Sequence, residues 1–148
     1  MSAPSTMLSE KQLIAAAKAP ILAYNDKNWD AVKAAITTDF VYEEVATNRK
    51  AKGPDEVFAL WQGWAATFPD SKGTIDNALV SGDKVVLEIT WRGTHQGPLP
   101  TPKGPIMPTG RQIEMRSCVI CEMAGEKSRA QRQYFDLGTM LQQIGVGG

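Results

Sequence analysis

Asp136 and His95 are the side chains whose types and positions best suit chemistry on a small carbonyl compound. Asp136 stands two residues after Tyr134, and His95 is the only histidine among 148 residues. A carboxyl group can remove a proton from the carbon beside a carbonyl and then return one as an acid. It does so only where apolar surroundings lift its pKa toward the working pH. An imidazole titrates near neutrality and can donate to an enolate oxygen or shuttle a proton. Each residue also has a plainer explanation. Asp136 immediately precedes Leu137-Gly-Thr-Met-Leu-Gln142, where aspartate is a favoured helix cap, and a lone histidine on an apolar face is commonly a hydrogen-bonded core residue. Tyr24, Asn25 and Tyr134 could supply further polar contacts, and Arg132 could pair with Glu43 or Glu44.

Cys118 and Cys121 form a Cys-x-x-Cys, the spacing of redox pairs and of half a zinc site. They lie in a strand-like segment, Ile113 to Met123, where residues three apart point to opposite faces. The two sulfurs then cannot converge. With no second cysteine pair and one histidine, the ligands of structural zinc are lacking. The expectation is two unpaired, buried or partly buried thiols and no metal.

The elements that must position these residues follow from periodicity. Ser9 and Gln12 form a capping box, and Leu13, Ala16, Ala17, Pro20 and Tyr24 then share one helical stripe, which Pro20 should kink or divide. A short helix follows around Trp29 to Ile36, and Phe40-Val-Tyr42 starts a strand. Gly53-Pro54-Asp55 opens a third helix, with proline at its first position. Val57, Trp61, Trp64, Ala65 and Phe68 give that helix an aromatic stripe, which could line a ligand pocket or be plain core.

From Thr74 the period becomes two, with Gly82-Asp83 as a hairpin turn. Val85, Leu87, Ile89, Trp91, Gly93 and His95 share one face. Ile113, Met115, Val119, Cys121 and Met123 are the apolar parity of the next strand. The last strand, about Ser128 to Asp136, groups Ala130, Arg132, Tyr134 and Asp136. Gly97 to Gly110 is a Pro/Gly-rich stretch, either a pocket rim or an extended crossover. Helices followed by antiparallel strands imply an α+β roll, helices on one face of a curved sheet, with a pocket at the open end of the cone.

Composition restricts the partners. The chain is 43% hydrophobic and has 16 basic and 16 acidic residues. One domain spanning 1–148 can bury its own core, with residues 1–7 expected as a loose N-terminal tail. A balanced charge gives no field to attract nucleic acid. The longest apolar stretch, Leu13 to Ala23, contains Lys18 and Pro20 and falls short of the roughly 20 residues that span a bilayer. The first residues carry no positive charge ahead of an apolar run, so a cytoplasmic protein is expected. Cys118 and Ile120 share an outward parity, which suggests pairing of two copies as a homodimer.

Five landmarks occur in an order that resembles the SnoaL-like polyketide cyclases of the nuclear transport factor two-like superfold. They are Phe68-Pro-Asp70, Gly93-Thr-His-Gln-Gly97, Pro108-Thr-Gly-Arg111, Tyr134-Phe-Asp-Leu137 and Gln143-Ile-Gly145. The resemblance implies a cone-shaped cystatin-like roll and a cofactor-free intramolecular aldol closure, or a related isomerisation, of a small hydrophobic molecule. It makes Asp136 the acid/base and His95 its neighbour, with Tyr24, Asn25, Trp61, Trp64, Trp91 and Tyr134 around the substrate. Ketosteroid isomerase, of the same superfold, uses an aspartate base in an apolar cavity. The chain departs from its relatives at Glu43-Glu44, where many have a histidine, and at the turn Gly125-Glu-Lys-Ser128. Two other readings remain open. One is a non-catalytic ligand carrier, since fold does not dictate function. The other is an epoxide hydrolase that gathers Asp136, Glu43 or Glu44, and Arg132 around a water.

Overall fold

The computed structural model describes residues 8–146; the tail expected at residues 1–7 lies outside them. The chain runs α1 (Glu10–Asn25), α2 (Trp29–Ala34), β1 (Ile36–Glu44), β2 (Arg49–Lys52), α3 (Gly53–Thr67), β3 (Lys72–Ser81), β4 (Lys84–Thr94), β5 (Gln112–Ala124), β6 (Lys127–Phe135) and α4 (Leu137–Gln143). The six strands form one curved, unclosed sheet in the order β2-β1-β6-β5-β4-β3. All pairings are antiparallel except β1 with β6, which run parallel.

Local chemistry accounts for the element ends. Ser9 caps α1 in a reciprocal capping box with Gln12. Pro20 lies inside α1, and the helix continues past it to Asn25, so the expected division does not occur. The loss of one backbone donor there is compatible with burial, since Pro20 joins the apolar face that meets the sheet. The second helix ends at Ala34, two residues earlier than expected, and the β-branched Ile36 already begins β1. β2 has no apolar alternation and was not expected; its register is set by pairing with β1. Gly82 takes φ +61° in the β3–β4 turn, a conformation that costs glycine little.

The inner face of the sheet is the alternating parity of β4 and β5. Ala17 and Ile21 of α1 pack on Val85, Leu87, Ile89, Val119 and Cys121. Full burial of each such aliphatic side chain stabilises by about 1.5–3 kcal/mol, so Leu87→Ala, at a fully buried position, is expected to cost about 2–5 kcal/mol. A second cluster at the other end of the sheet joins Phe68, Leu99, Ile113, Met115, Met140 and Ile144. Cys121 belongs to the core and Cys118 to the outer face, and both thiols are free. Burial, and after it the nearby Cys118, pushes the Cys121 thiol up to about 12, which leaves it unreactive at neutral pH.

The stretch after β4 is pinned rather than loose. Gln96 and Gly97 N–H both donate to Thr67 O, Thr67 Oγ1 donates to Pro98 O, and Leu99 pairs with Ile106. Gly97 passes so close to the end of α3 that a Cβ there would lie 2.0 Å from Ala66 O. Among the described residues no helix is long and apolar enough to cross a membrane.

Candidate functional site

Between α1, α3 and the inner sheet face lies an apolar cavity of about 90 Å³. Trp61, Trp64 and Trp91 stand on its wall with Phe68, Met115 and Phe135. The aromatic stripe of α3 thus divides its work, because Val57 is fully buried in the core while both tryptophans face the cavity. A cavity of roughly 150 Å³ accepts a benzene ring; this one is smaller, so a ring enters only as its walls move apart.

The polar groups on the wall come from three places. Tyr24, near the end of α1, hydrogen-bonds Ser71 Oγ at 2.6 Å, and burial raises its pKa despite that bond. Tyr42 comes from β1, and Gln131 and Gln133 come from β6. Parallel pairing sets Tyr42 opposite Gln131, and Glu44 opposite Gln133. The Gln133 amide donates to the Tyr42 oxygen at 3.1 Å, and the Tyr42 hydroxyl donates to Glu44 Oε2 at 2.9 Å.

Glu44 is fully buried, and its carboxylate is held from every side. Trp64 Nε1 donates to Oε2 at 2.9 Å, while Thr47 Oγ1 and Arg49 Nη2 donate to Oε1 at 2.6 and 2.7 Å. A buried carboxylate survives only when paired and hydrogen-bonded, and here both conditions are met. With the Tyr42 hydroxyl, these donors engage both oxygens of the carboxylate. Burial, reinforced by the charge of Glu44, holds the Tyr42 phenol well above its ordinary pKa. Among the described residues, Tyr24 and Tyr42 are the only titratable ones on the cavity wall, and both are neutral at pH 7.

The structure moves both expected catalytic residues away from this cavity. Asp136 is exposed; it caps α4, accepting from Thr139 N–H at 3.1 Å and Thr139 Oγ1 at 2.8 Å. Those two bonds hold its carboxyl below the usual value, the reverse of what a base in an apolar pocket requires. His95 is fully buried but is not on the cavity wall. The Thr109 amide donates to its Nδ1 at 3.2 Å. Its ring packs at 5.7 Å from Phe68, so it ties the 96–110 segment to the core.

Four other expectations also change. Tyr134 is 41% exposed on the outer sheet face. Asn25 clamps β3, donating to Gly73 O at 2.9 Å and accepting from Gly73 N–H at 2.8 Å, and it does not reach the cavity. Arg132 pairs with Glu122 and lies opposite Glu43 in the β1–β6 register, while Glu44 pairs with Arg49; none of Asp136, Glu43, Glu44 and Arg132 lines the cavity, where an epoxide hydrolase would need them. No residue of the 97–110 stretch lines the cavity, which removes the pocket-rim reading. Of the expected substrate-binding set, Tyr24, Trp61, Trp64 and Trp91 do line it.

Tyr42, Gln131 and Gln133 were missed. The grouping of Ala130, Arg132, Tyr134 and Asp136 on one face is right, but that face is the outer one. Cys118 opposite Tyr134 and Ile120 opposite Arg132 point outward, while Val119 opposite Gln133 and Cys121 opposite Gln131 point inward. The available signal was the pairing partner: β5 has an unmistakable apolar parity, and β6 must share it.

Comparison with known proteins agrees with this architecture. A candidate SnoaL-like polyketide cyclase from Jannaschia sp. CCS1 matches at TM-score 0.81 and 18% identity, over 96% of this chain and 99% of that one. IdmH, a candidate polyketide cyclase from Streptomyces antibioticus, matches at TM-score 0.78 and 24% identity, over 91% and 99%. TerC, co-crystallised with polyporic acid, matches at TM-score 0.72 and 13% identity, over 90% and 98%. Likeness at these identities establishes the fold and not the reaction. None of the curated proteins matches the chain. The family model for SnoaL-like polyketide cyclases matches residues 15–144, most of the chain, and the protein belongs to that family.

Proposed function

We propose that the protein binds a small hydrophobic carbonyl compound in the cavity and promotes its ring closure or isomerisation by acid/base chemistry, without an organic cofactor. The observation that carries this is the cavity itself, an apolar chamber whose only polar lining is uncharged. Such a chamber favours a neutral ligand over an ion, because an ion would lose its hydration for nothing in return. Folding a flexible substrate against aromatic walls brings its reacting carbons together, and proximity alone can supply several kcal/mol of the barrier. Tyr42 takes the acid/base place expected of Asp136: its oxygen takes the proton from the carbon beside the carbonyl as its own proton passes to Glu44 along the hydrogen bond they share, and the carbonyl oxygen itself is left to another group. The co-crystal of TerC with polyporic acid supports a small organic ligand.

A second reading, a carrier without turnover, is favoured by one observation: among the described residues no carboxylate or imidazole lines the cavity. A single experiment separates the two. Wild type and Tyr42→Phe are titrated with a β-dicarbonyl probe, and turnover is followed by loss of its absorbance. Turnover that falls by about two orders of magnitude or more in Tyr42→Phe supports the enzyme. Binding without turnover in wild type supports the carrier, and no binding at all removes both.

A further inference from the structure

Gln131 is 5% exposed and lines the cavity, yet its Nε2 has no hydrogen-bond partner among the described residues. Its neighbours are already committed. The Tyr42 proton goes to Glu44, the Gln133 amide donates to Tyr42, and the Trp64 indole N–H goes to Glu44. Gln131 is therefore a buried donor on this wall with nothing to donate to among the described residues. A buried unpaired N–H is costly, and an apolar side chain of the same shape would serve the empty fold better. A polar side chain kept there at a cost to stability is what a ligand-recognition group looks like.

We infer that Gln131 is the specificity-determining residue of the cavity, and that it recognises the carbonyl oxygen of a neutral, single-ring ligand. This inference rests on the reading of the cavity as a binding site. It departs from the simpler expectation that the buried phenol of Tyr42 would meet the carbonyl, because that hydroxyl is turned to Glu44. Gln133 fixes the orientation of Tyr42 from the other side and leaves the ligand's oxygen to Gln131.

The test uses acetophenone and α-methylstyrene, two single-ring probes of nearly equal shape that differ in having C=O or C=CH2. Affinities of both are measured by calorimetry for wild type, Gln131→Met and Tyr42→Phe, and each protein's melting temperature is recorded without ligand. In Gln131→Met the advantage of acetophenone over α-methylstyrene is expected to shrink by about tenfold, the scale of one hydrogen bond inside a protein. The affinity for α-methylstyrene should hold, and the melting temperature should rise. Tyr42→Phe should keep the acetophenone advantage. An unchanged advantage in Gln131→Met, or its collapse in Tyr42→Phe instead, overturns the assignment to Gln131. A fall in the melting temperature of Gln131→Met means that the side chain is structural, which also overturns it. Failure of both probes to bind wild type overturns the binding-site reading beneath it.

Discussion

Gln133 and Tyr134 are neighbours in β6 and lie on opposite sides of the sheet, Gln133 on the cavity wall and Tyr134 in solvent. Asp136 stays with Tyr134 on the solvent side, so its carboxylate acts on α4 rather than on a ligand. Asparagine caps helices as well as aspartate does. Asp136→Asn is therefore expected to bind probe ligands and to turn over any substrate within about twofold of wild type. Asp136→Ala is expected to lower the melting temperature by a few degrees. A hundredfold loss of turnover in Asp136→Asn would restore the catalytic role.

Trp64 serves both wall and scaffold, since its ring faces the cavity and its N–H satisfies Glu44. Trp64→Phe keeps an aromatic wall but withdraws one donor from a fully buried carboxylate. Urea denaturation should show a loss of about 1–3 kcal/mol. A change below about 0.5 kcal/mol, the range of ordinary surface substitutions, would mean that Arg49 and Thr47 suffice to hold Glu44.

Asp70 couples the end of α3 to the end of β4 through Thr94, whose N–H and O–H both donate to it at 2.7 Å. Slight burial pushes its carboxyl up, but the two Thr94 bonds outweigh this and hold it below the ordinary value. A lowered native pKa stabilises the fold above the unfolded value of about 4. That contribution is lost as pH falls through the native value. The gap in melting temperature between wild type and Asp70→Asn should be constant from pH 7 to about pH 5 and close as the pH drops toward about 3. A gap that widens on acidification would contradict the assignment.

Replacing His95 by leucine should free the 96–110 segment while leaving the cavity intact. Amide hydrogen exchange at Thr109 and Gly110 should quicken, because Thr109 N–H loses its acceptor, while affinity for an apolar probe stays near the wild-type value. Unchanged exchange would show that the segment holds itself.

A homodimer is expected through the outer sheet face. There Leu79, Val86 and Ile120 form an apolar row across three strands, and Leu79 is 58% exposed. Ile120→Lys, by placing a charge at the β5 end of that row, should convert a micromolar dimer into a monomer on sedimentation. A wild-type monomer at that concentration defeats the expectation.

What the sequence disclosed depended on contrast. β4 and β5 alternate apolar and polar residues so strictly that their inner faces could be read directly, and the capping box of Ser9 and the proline at the start of α3 marked two helices with equal clarity. β6 offered no such contrast. Its inner residues at the cavity are Gln131, Gln133 and Phe135, and its outer ones include Ala130 and Tyr134, so polarity pointed the wrong way. The buried Glu44 was equally hidden, because its four partners lie at positions 42, 47, 49 and 64 and only the folded chain shows that they converge. The landmark Tyr134-Phe-Asp-Leu137 identified the family correctly and said nothing of which face each residue takes.

The parallel seam between β1 and β6 also governs when the protein can recognise anything. β3 to β6 are joined by hairpins between consecutive strands, whereas the Gln133–Tyr42 hydrogen bond spans 91 positions along the chain. Contacts that close so long a loop form late in folding. During synthesis the aromatic wall and the pairing of β3, β4 and β5 can take shape while β6 is still inside the ribosome, but the Gln131 amide inferred to read a ligand's oxygen cannot be in place. A chain caught partway has a greasy cleft without discrimination, and selectivity arrives only when its last strand docks beside its first.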